Sequence, residues 1–385
     1  MRRRDDLVFP MAEYDRRLAG LRARMAARGV EAMLVTTPEN LFYLSGYETQ
    51  GLWYFAGLVV PAGGEPFIAT REAEDTVVES DTWVALSRPF RDDQEPMAVL
   101  SEALAEFGLA AARIGYERTS YFFRGHEQDA LQARCSDATF VDCSWIVEEG
   151  RIIKSPPEIE MIARAARATE AGVRAGVAAV ADGVTENEVA AEVYGGMLRA
   201  GGHYPSMQPF VVSGPRSFVS HATWRDRTIE ADDCVFFEVG ATVHRYNAPM
   251  MRTVVVGTPT PEMREAEELV NEATAAAKAR IAPGLPTGEA DAAARAVIAR
   301  NSFGATQYTR VGYGMGIACT PGWGEGHIID IKPGDERLFA ENMCFHLIPF
   351  LQIPGKAAVG ISEVIRVTAT GCESFNTLER RIFTA

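Results

Sequence analysis

Lys154-Ser155-Pro156-Pro157-Glu158-Ile159 divides the 385-residue sequence in two. Proline is tolerated in the first turn of a helix, where its missing N–H has no intrahelical partner, and serine is a good cap. The stretch therefore predicts a helix start, with a long Ala-rich helix over 158–180. A second helix is expected from Thr185-Glu186-Asn187-Glu188, which has the spacing of a capping box. Strands are expected over 209–213, 235–241 and 253–256. The order then repeats: a helix over 262–281 stopped by Pro283-Gly284, a helix from Thr287 to about 300, and strands over 343–348 and 361–368. Two rounds of helix, helix, strands suggest an internal duplication. Helices gathered on one face of a mostly antiparallel sheet make an α+β domain, and the groove between its halves is a natural site.

Upstream of the divide the pattern differs. Tyr14, Leu18, Leu21, Met25 and Ala26 recur at helical steps over 12–29, and Gly29 ends the run. Strands are expected over 32–37, 57–61, 66–70 and 82–86, and a helix over 98–107. This alternation describes a separate α/β layer. The expected domains are 1–153 and 154–385.

Composition narrows the function classes. Hydrophobic residues make up 47% and charged residues 23%, as in an ordinary globular protein able to form a core without disulfides. A net charge of −14 argues against a nucleic-acid partner, which would need a concentrated basic face. No apolar run follows Arg2-Arg3-Arg4, so neither a secretory signal nor a membrane span is expected, and the cytoplasm is the default location. The cysteines at 135, 143, 234, 319, 344 and 372 form no C-x-x-C pair, and four of them lie in apolar or strand-like stretches and read as buried small hydrophobes. Gly312-x-Gly314-x-Gly316 lacks the spacing of a nucleotide loop.

Three side chains stand out. Glu238 lies in Cys234-Val235-Phe236-Phe237-Glu238-Val239-Gly240, and an acid inside an apolar strand is costly unless paired or functional. It is either a buried acid paired with Arg245 or Arg252, or a raised-pKa group poised for proton transfer or nucleophilic attack. His221 is either a surface histidine or a proton carrier. His346, in Cys344-Phe345-His346-Leu347-Ile348, is either a core histidine or a site residue facing the same way as Ile348. Trp224 and Trp323 are candidates for a cation-binding wall or for the core.

Lys154-Ser155-Pro156-x-Glu158-Ile159 with its Ala-rich helix resembles the opening of the catalytic domain of creatinases, prolidases and aminopeptidase P. Asn40-Leu41-x-Tyr43-Leu44-Ser45-Gly46-Tyr47 resembles their N-terminal domain. The resemblance, over residues 12–380, implies a small α/β domain followed by a pita-bread α+β domain, and a homodimer. Metal-using members hold two cations with five side chains. Carried onto this chain, those positions are Glu238, Pro249, Tyr313, Ile348, and Ser362 or Glu363. At most two acids remain, so the resemblance implies that the dimetal site is lost and that no cofactor is needed. Metal-free members include creatinases, with a histidine matching His221, and ectoine hydrolases, which open a cyclic amidine. His221-Ala222-Thr223-Trp224, Phe236-Phe237-Glu238-Val239, Trp323-Gly324-Glu325 and Asn342-Met343-x-Phe345-His346 resemble segments of the latter. The stretch 46–53 departs from them; in the family this region lines the pocket, often from the neighbouring subunit.

The expectation is a metal-independent hydrolase of a non-peptide C–N bond in a small polar substrate. Glu238 and His221 are its expected catalytic residues. Substrate contacts are expected from His346, Tyr313, Trp224, Trp323, Glu363, Tyr47, Trp53 and Arg71. The rivals are a metal-dependent Xaa-Pro peptidase and a pseudoenzyme that binds a small molecule without turnover.

Overall fold

The computed structural model describes residues 2–307 and 309–385. Two compact units share the chain, one ending at Arg151 and the other starting at Ile152. The N-terminal unit runs α1 (Met11–Ala27), β1 (Ala32–Val35), α2 (Pro38–Ser45), β2 (Ala56–Pro61), β3 (Phe67–Arg71), α3 (Asp75–Asp81), β4 (Leu86–Phe90), α4 (Pro96–Glu106), β5 (Arg113–Tyr116), α5 (Gly125–Arg134) and β6 (Thr139–Asp142). Its six strands form one mixed sheet in the order β4-β3-β2-β1-β5-β6. Leu34, Val59, Phe67 and Ile114 of the sheet share a core with Leu100 of α4 and Leu131 of α5. The strand expected over 82–86 begins only at Leu86. Thr82 instead closes α3, its hydroxyl donating to Val78 O at 2.8 Å, and the buried indole of Trp83 donates to Leu44 O at 3.0 Å. Pro89 is admitted to β4 because that strand lies at the sheet edge.

The C-terminal unit opens with α6 (Pro156–Ala179) and α7 (Glu186–Arg199). Both expected capping boxes are present: Ser155 N–H donates to Glu158 at 2.8 Å and Thr185 N–H to Glu188 at 2.8 Å. Strands β7 (Phe210–Ser213), β8 (Cys234–Val243) and β9 (Tyr246–Val255) follow, and their apolar face packs on α6 and α7 through Val173, Val193, Phe237 and Met250. The second round is α8 (Pro261–Lys278), α9 (Thr287–Ile298), β10 (Gly312–Gly314), β11 (Asp330–Ile331), β12 (Cys344–Leu347), β13 (Phe350–Ile353), β14 (Ala357–Gly360), β15 (Glu363–Val367), β16 (Cys372–Ser374) and β17 (Phe383–Thr384). Val270, Ala294, Phe345 and Ile365 fall in its separate core. The sheets are ordered β17-β9-β8-β7 and β11-β10-β12-β15-β16, with β13 and β14 as a two-stranded ribbon.

Strand β9 is twice as long as its sequence suggests, because Asn247 and Pro249 mask its first half. A two-residue turn at His244 and Arg245, with φ of 45° and 62°, joins it to β8. From there the pairing runs unbroken from Val243–Tyr246 to Cys234–Val255. The N–H of Met251 points away from β8, to Ser362 Oγ at 2.7 Å. Pro249 lies two residues earlier on the same side, so β8 requires no N–H from it. No helix among the described residues is long and apolar enough to cross a membrane. All six cysteines are free, and five are buried.

Candidate active site

The strand pairing aims Glu238 of β8, opposite Phe210 of β7 and Met251 of β9, into a cavity of about 620 Å³. His221, Tyr313, Trp323, Arg310, Lys332 and Ile348 line the same cavity. Glu238 makes no hydrogen bond or ion pair among the described residues. The two arginines that would make it a structural acid are occupied elsewhere. Arg252 faces the opposite side of the hairpin and donates to the carbonyls of Met251, Ser362, Leu378 and Glu379 at 2.7–3.1 Å. Arg245 donates to Tyr204 O at 2.6 Å and lies over the Tyr204 ring. Burial alone therefore acts on Glu238, raising its pKa to about 8.

His221 sits on the loop between β7 and β8, with a φ of 57° and its ring 5.8 Å from Phe210. The loop is tied down by Glu186, a fully buried acid at the start of α7. Its carboxylate accepts from the Ser213 N–H and hydroxyl, from Arg216, and from Arg225 N–H, at 2.7–3.0 Å. His221 itself is exposed at the cavity rim.

Trp323, Gly324 and Glu325 close another wall, in a loop where glycines alternate with large side chains. A Cβ on Gly240 would come within 3.0 Å of the Trp323 ring. One on Gly324 would lie 2.5 Å from the Tyr313 ring, and one on Gly326 2.9 Å from the Arg310 guanidinium. Each glycine leaves the space that a site residue fills. Glu325 anchors the loop through a buried ion pair with Lys154 at 2.6 Å, which gives the lysine of the dividing motif a structural task. Arg310 lies 4.7 Å from the Tyr313 ring centroid and 3.3 Å from Asp330, and Lys332 lies 3.8 Å from Asp330.

Behind this wall a chain of hydrogen bonds leads inward. Trp323 Nε1 donates to Tyr313 Oη at 2.9 Å. Tyr313 Oη lies 2.8 Å from His346 Nδ1, and His346 Nε2 lies 2.6 Å from Ser362 Oγ. Burial holds the His346 pKa down at about 3, assisted by the charges of Arg252 and Arg310, so the ring is neutral. Burial, and then the Glu238 charge, push the Tyr313 phenol well above its ordinary value.

Glu238, His221, Tyr313 and Trp323 thus line one cavity, and the six other expected contact residues lie outside its lining. His346 does not line the cavity: it is fully buried with both ring nitrogens engaged, one strand layer behind Ile348. Trp224 packs edge-on against Tyr194, 5.8 Å away, beside the core under α7. Glu363 faces Lys278 at 2.9 Å and Arg380 at 3.6 Å. Tyr47 is buried within the N-terminal unit with its hydroxyl 3.0 Å from Thr70 Oγ1, so it offers no free face to a ligand. In that same unit Arg71 is committed to a two-pronged pair with Asp92 at 2.6 Å, and Trp53 is 63% exposed. Arg310, Lys332 and His327 also line the cavity. No local sequence pattern distinguishes them, since strand pairing and a long loop bring them in.

With an acid unpaired among the described residues and a histidine at its rim, the cavity has the makings of a hydrolase site on a two-domain α/β plus pita-bread scaffold. Residues 160–369 match metallopeptidase family M24 and residues 17–153 match the creatinase/prolidase N-terminal domain, so the chain belongs to family M24. It is 28% identical to the ectoine hydrolase of Halomonas elongata, over 98% of both chains. It is 26% identical to the Xaa-Pro dipeptidase of Pyrococcus furiosus, over 95% of this chain and 99% of that one. A prolidase from Thermococcus sibiricus shares the fold with a TM-score of 0.86 at 24% identity, covering 97% of this chain and 99% of that one.

A metal centre of the kind the family name implies needs several hard donors converging on one point. The residues here do not fit one. Pro249 and Ile348 carry no donor atom, Tyr313 is a neutral phenol bound to Trp323, and Glu363 faces its own cations. Among the described residues no three His, Cys, Asp or Glu side chains come together in a metal-holding group.

Proposed function

We propose that this chain is a metal-independent hydrolase of a non-peptide C–N bond in a small zwitterion, with ectoine-like cyclic amidines first and creatine-like guanidines second. The observation that carries the reading is Glu238: a buried carboxyl without a hydrogen-bond partner among the described residues, facing a cavity also lined by Tyr313 and Ile348. Similarity to an ectoine hydrolase over nearly the whole chain supports the substrate class. The cavity walls support a zwitterion, with an acid within and Arg310 and Lys332 on the lining.

In this reading the amidinium end of the substrate docks against Glu238, and the positive charge draws the carboxyl into its ionised form. Water then adds to the electrophilic carbon as Glu238 takes its proton, or Glu238 adds first and water afterwards displaces it from that carbon, freeing the carboxylate. The ring C–N bond breaks, and the departing nitrogen receives a proton carried by His221. Enclosure by Phe210, Phe236 and Met251 strengthens each of these interactions.

Protein purified without added metal should be incubated with ectoine, hydroxyectoine, creatine and Xaa-Pro dipeptides, with and without a chelator, and products read by NMR. Ring opening of the cyclic amidine, unaffected by chelation, is the expected result. Dipeptide cleavage that a chelator abolishes, with roughly two equivalents of transition metal by elemental analysis, would overturn the reading in favour of a metal-dependent peptidase. Saturable binding without product would overturn it in favour of a binder.

A further inference from the structure

We propose that the buried Ser362–His346 pair fixes the Tyr313 hydroxyl as a hydrogen-bond donor into the cavity, so that the ligand atom facing Tyr313 is an acceptor, an oxygen or an unprotonated nitrogen. Donors and acceptors balance along this chain of atoms in only one way. Trp323 Nε1–H can only donate, so it fills one acceptor position of Tyr313 Oη. Met251 N–H likewise fills one acceptor position of Ser362 Oγ. Neutral His346 has one N–H to share between Tyr313 and Ser362.

If that proton sat on Nε2, His346 would donate to Ser362. The serine hydroxyl hydrogen would then face no acceptor, because Met251 N–H and His346 are its only hydrogen-bond partners among the described residues. A buried donor left without an acceptor costs about 1–3 kcal/mol. With the proton on Nδ1 every group of the chain is satisfied except the Tyr313 hydroxyl hydrogen. Ser362 donates to Nε2, Nδ1–H donates to Tyr313, and Tyr313 accepts twice. The Tyr313 hydrogen is then the one left over: it has no further hydrogen-bond partner among the described residues, and its residue lines the cavity.

Ser362 and His346 are thus positioning residues, and Tyr313 touches the ligand. The wiring gives the Tyr313 hydroxyl a task, because phenylalanine there would end the chain. It also defines a recognition pair, with an acceptor of the ligand against Tyr313 and a cationic or N–H-bearing group against Glu238. That deepening rests on the proposed small polar substrate. The wiring itself does not, and its test needs no substrate.

Histidine-selective 15N labelling reads the tautomer directly, with His346→Gln identifying the resonance. The expected result is Nδ1 protonated and Nε2 bare, opposite to the form that free imidazole side chains favour in water. Protonation at Nε2 would overturn the proposal, even if every activity assay succeeds. Ser362→Ala should convert His346 to the Nε2 tautomer or leave it mixed, and Ser362→Thr should restore the wild-type signal. An unchanged Nδ1 tautomer in a folded Ser362→Ala protein would overturn the role of the serine. With an active substrate, Tyr313→Phe should lower kcat by 10-fold or more and change KM by less than about threefold. Equal loss in both would show that Tyr313 only shapes the cavity.

Discussion

Glu117 and Glu238 are both buried glutamates, and burial raises the pKa of each. Glu117, at the end of β5, is surrounded by donors. Its carboxylate accepts from Thr36 N–H and Thr37 N–H at 2.7 Å and from Asn40 Nδ2 at 2.6 Å. Asn40 also donates to Glu148 at 2.8 Å and accepts from Arg151 at 2.6 Å, so one amide stitches together two acids and a cation. Glu238 has none of this. It sits in a strand that is apolar on both sides, with a cavity before it and no hydrogen bond to any described residue. A raised pKa alone therefore does not single out a functional acid. What separates the two is the unfilled hydrogen-bonding capacity of Glu238 and the space beside it for a ligand.

The largest effect that would test this contrast is on turnover. Glu238→Gln should lower kcat by on the order of 10²–10⁴-fold, because the amide can neither attack nor accept a proton. Activity within threefold of wild type on an established substrate would break the assignment. The same substitution should not destabilise the fold. The folded-state pKa of Glu238 lies above its unfolded value, so its contribution is fully present below about pH 4.5 and is lost as pH rises through about 8. Thermal melts of the wild type should therefore fall between about pH 4.5 and 8 more steeply than those of Glu238→Gln. Parallel curves would show that Glu238 is not buried as described.

Glu117→Ala should do the reverse. Removing the carboxylate strips acceptors from two backbone N–H groups and from Asn40, with an expected cost of about 3 kcal/mol in denaturant unfolding. The part of the protein that remains folded should keep the kcat of the wild type. A stable variant that had lost kcat would give Glu117 a task in the reaction and dissolve the contrast.

Which of the two acids matters was half legible in the sequence. Glu238 could be recognised because Val235-Phe236-Phe237 and Val239 leave no doubt that its strand is buried. Whether it had a partner could not, since Arg245 and Arg252 are near in sequence and only strand alternation and the turn send them elsewhere. The capping boxes at Ser155 and Thr185 are local and were readable at their true positions. The first half of β9 was hidden by Pro249, whose tolerance depends on which side of the strand its nitrogen faces. His346 was read as facing the ligand by analogy with Ile348. Its ring is instead fully buried, with both nitrogens engaged by Tyr313 and Ser362, neither of which is near it in sequence. Ser362 was noticed only as a possible ligand position, and its pairing with His346 is a tertiary contact that no spacing announces.

The smallest effect concerns the cations of the two sites. Around Glu117 the nearest guanidinium, Arg151, is spent on Asn40. Around the Glu238 cavity, Arg310 and Lys332 share one acid, Asp330, and line the cavity without pairing to Glu238. A zwitterion can therefore present its cation to Glu238 and its carboxylate to Arg310. Arg310→Met keeps much of the side-chain bulk over Tyr313 and Gly326 but removes the charge. It should raise KM about tenfold with kcat little changed, the size of one charge-assisted hydrogen bond at a half-exposed site. A substrate analogue lacking the carboxylate should bind both proteins equally weakly. If the analogue loses the same factor as the parent substrate, Arg310 acts through its packing on the Tyr313 ring, and the carboxylate lies elsewhere.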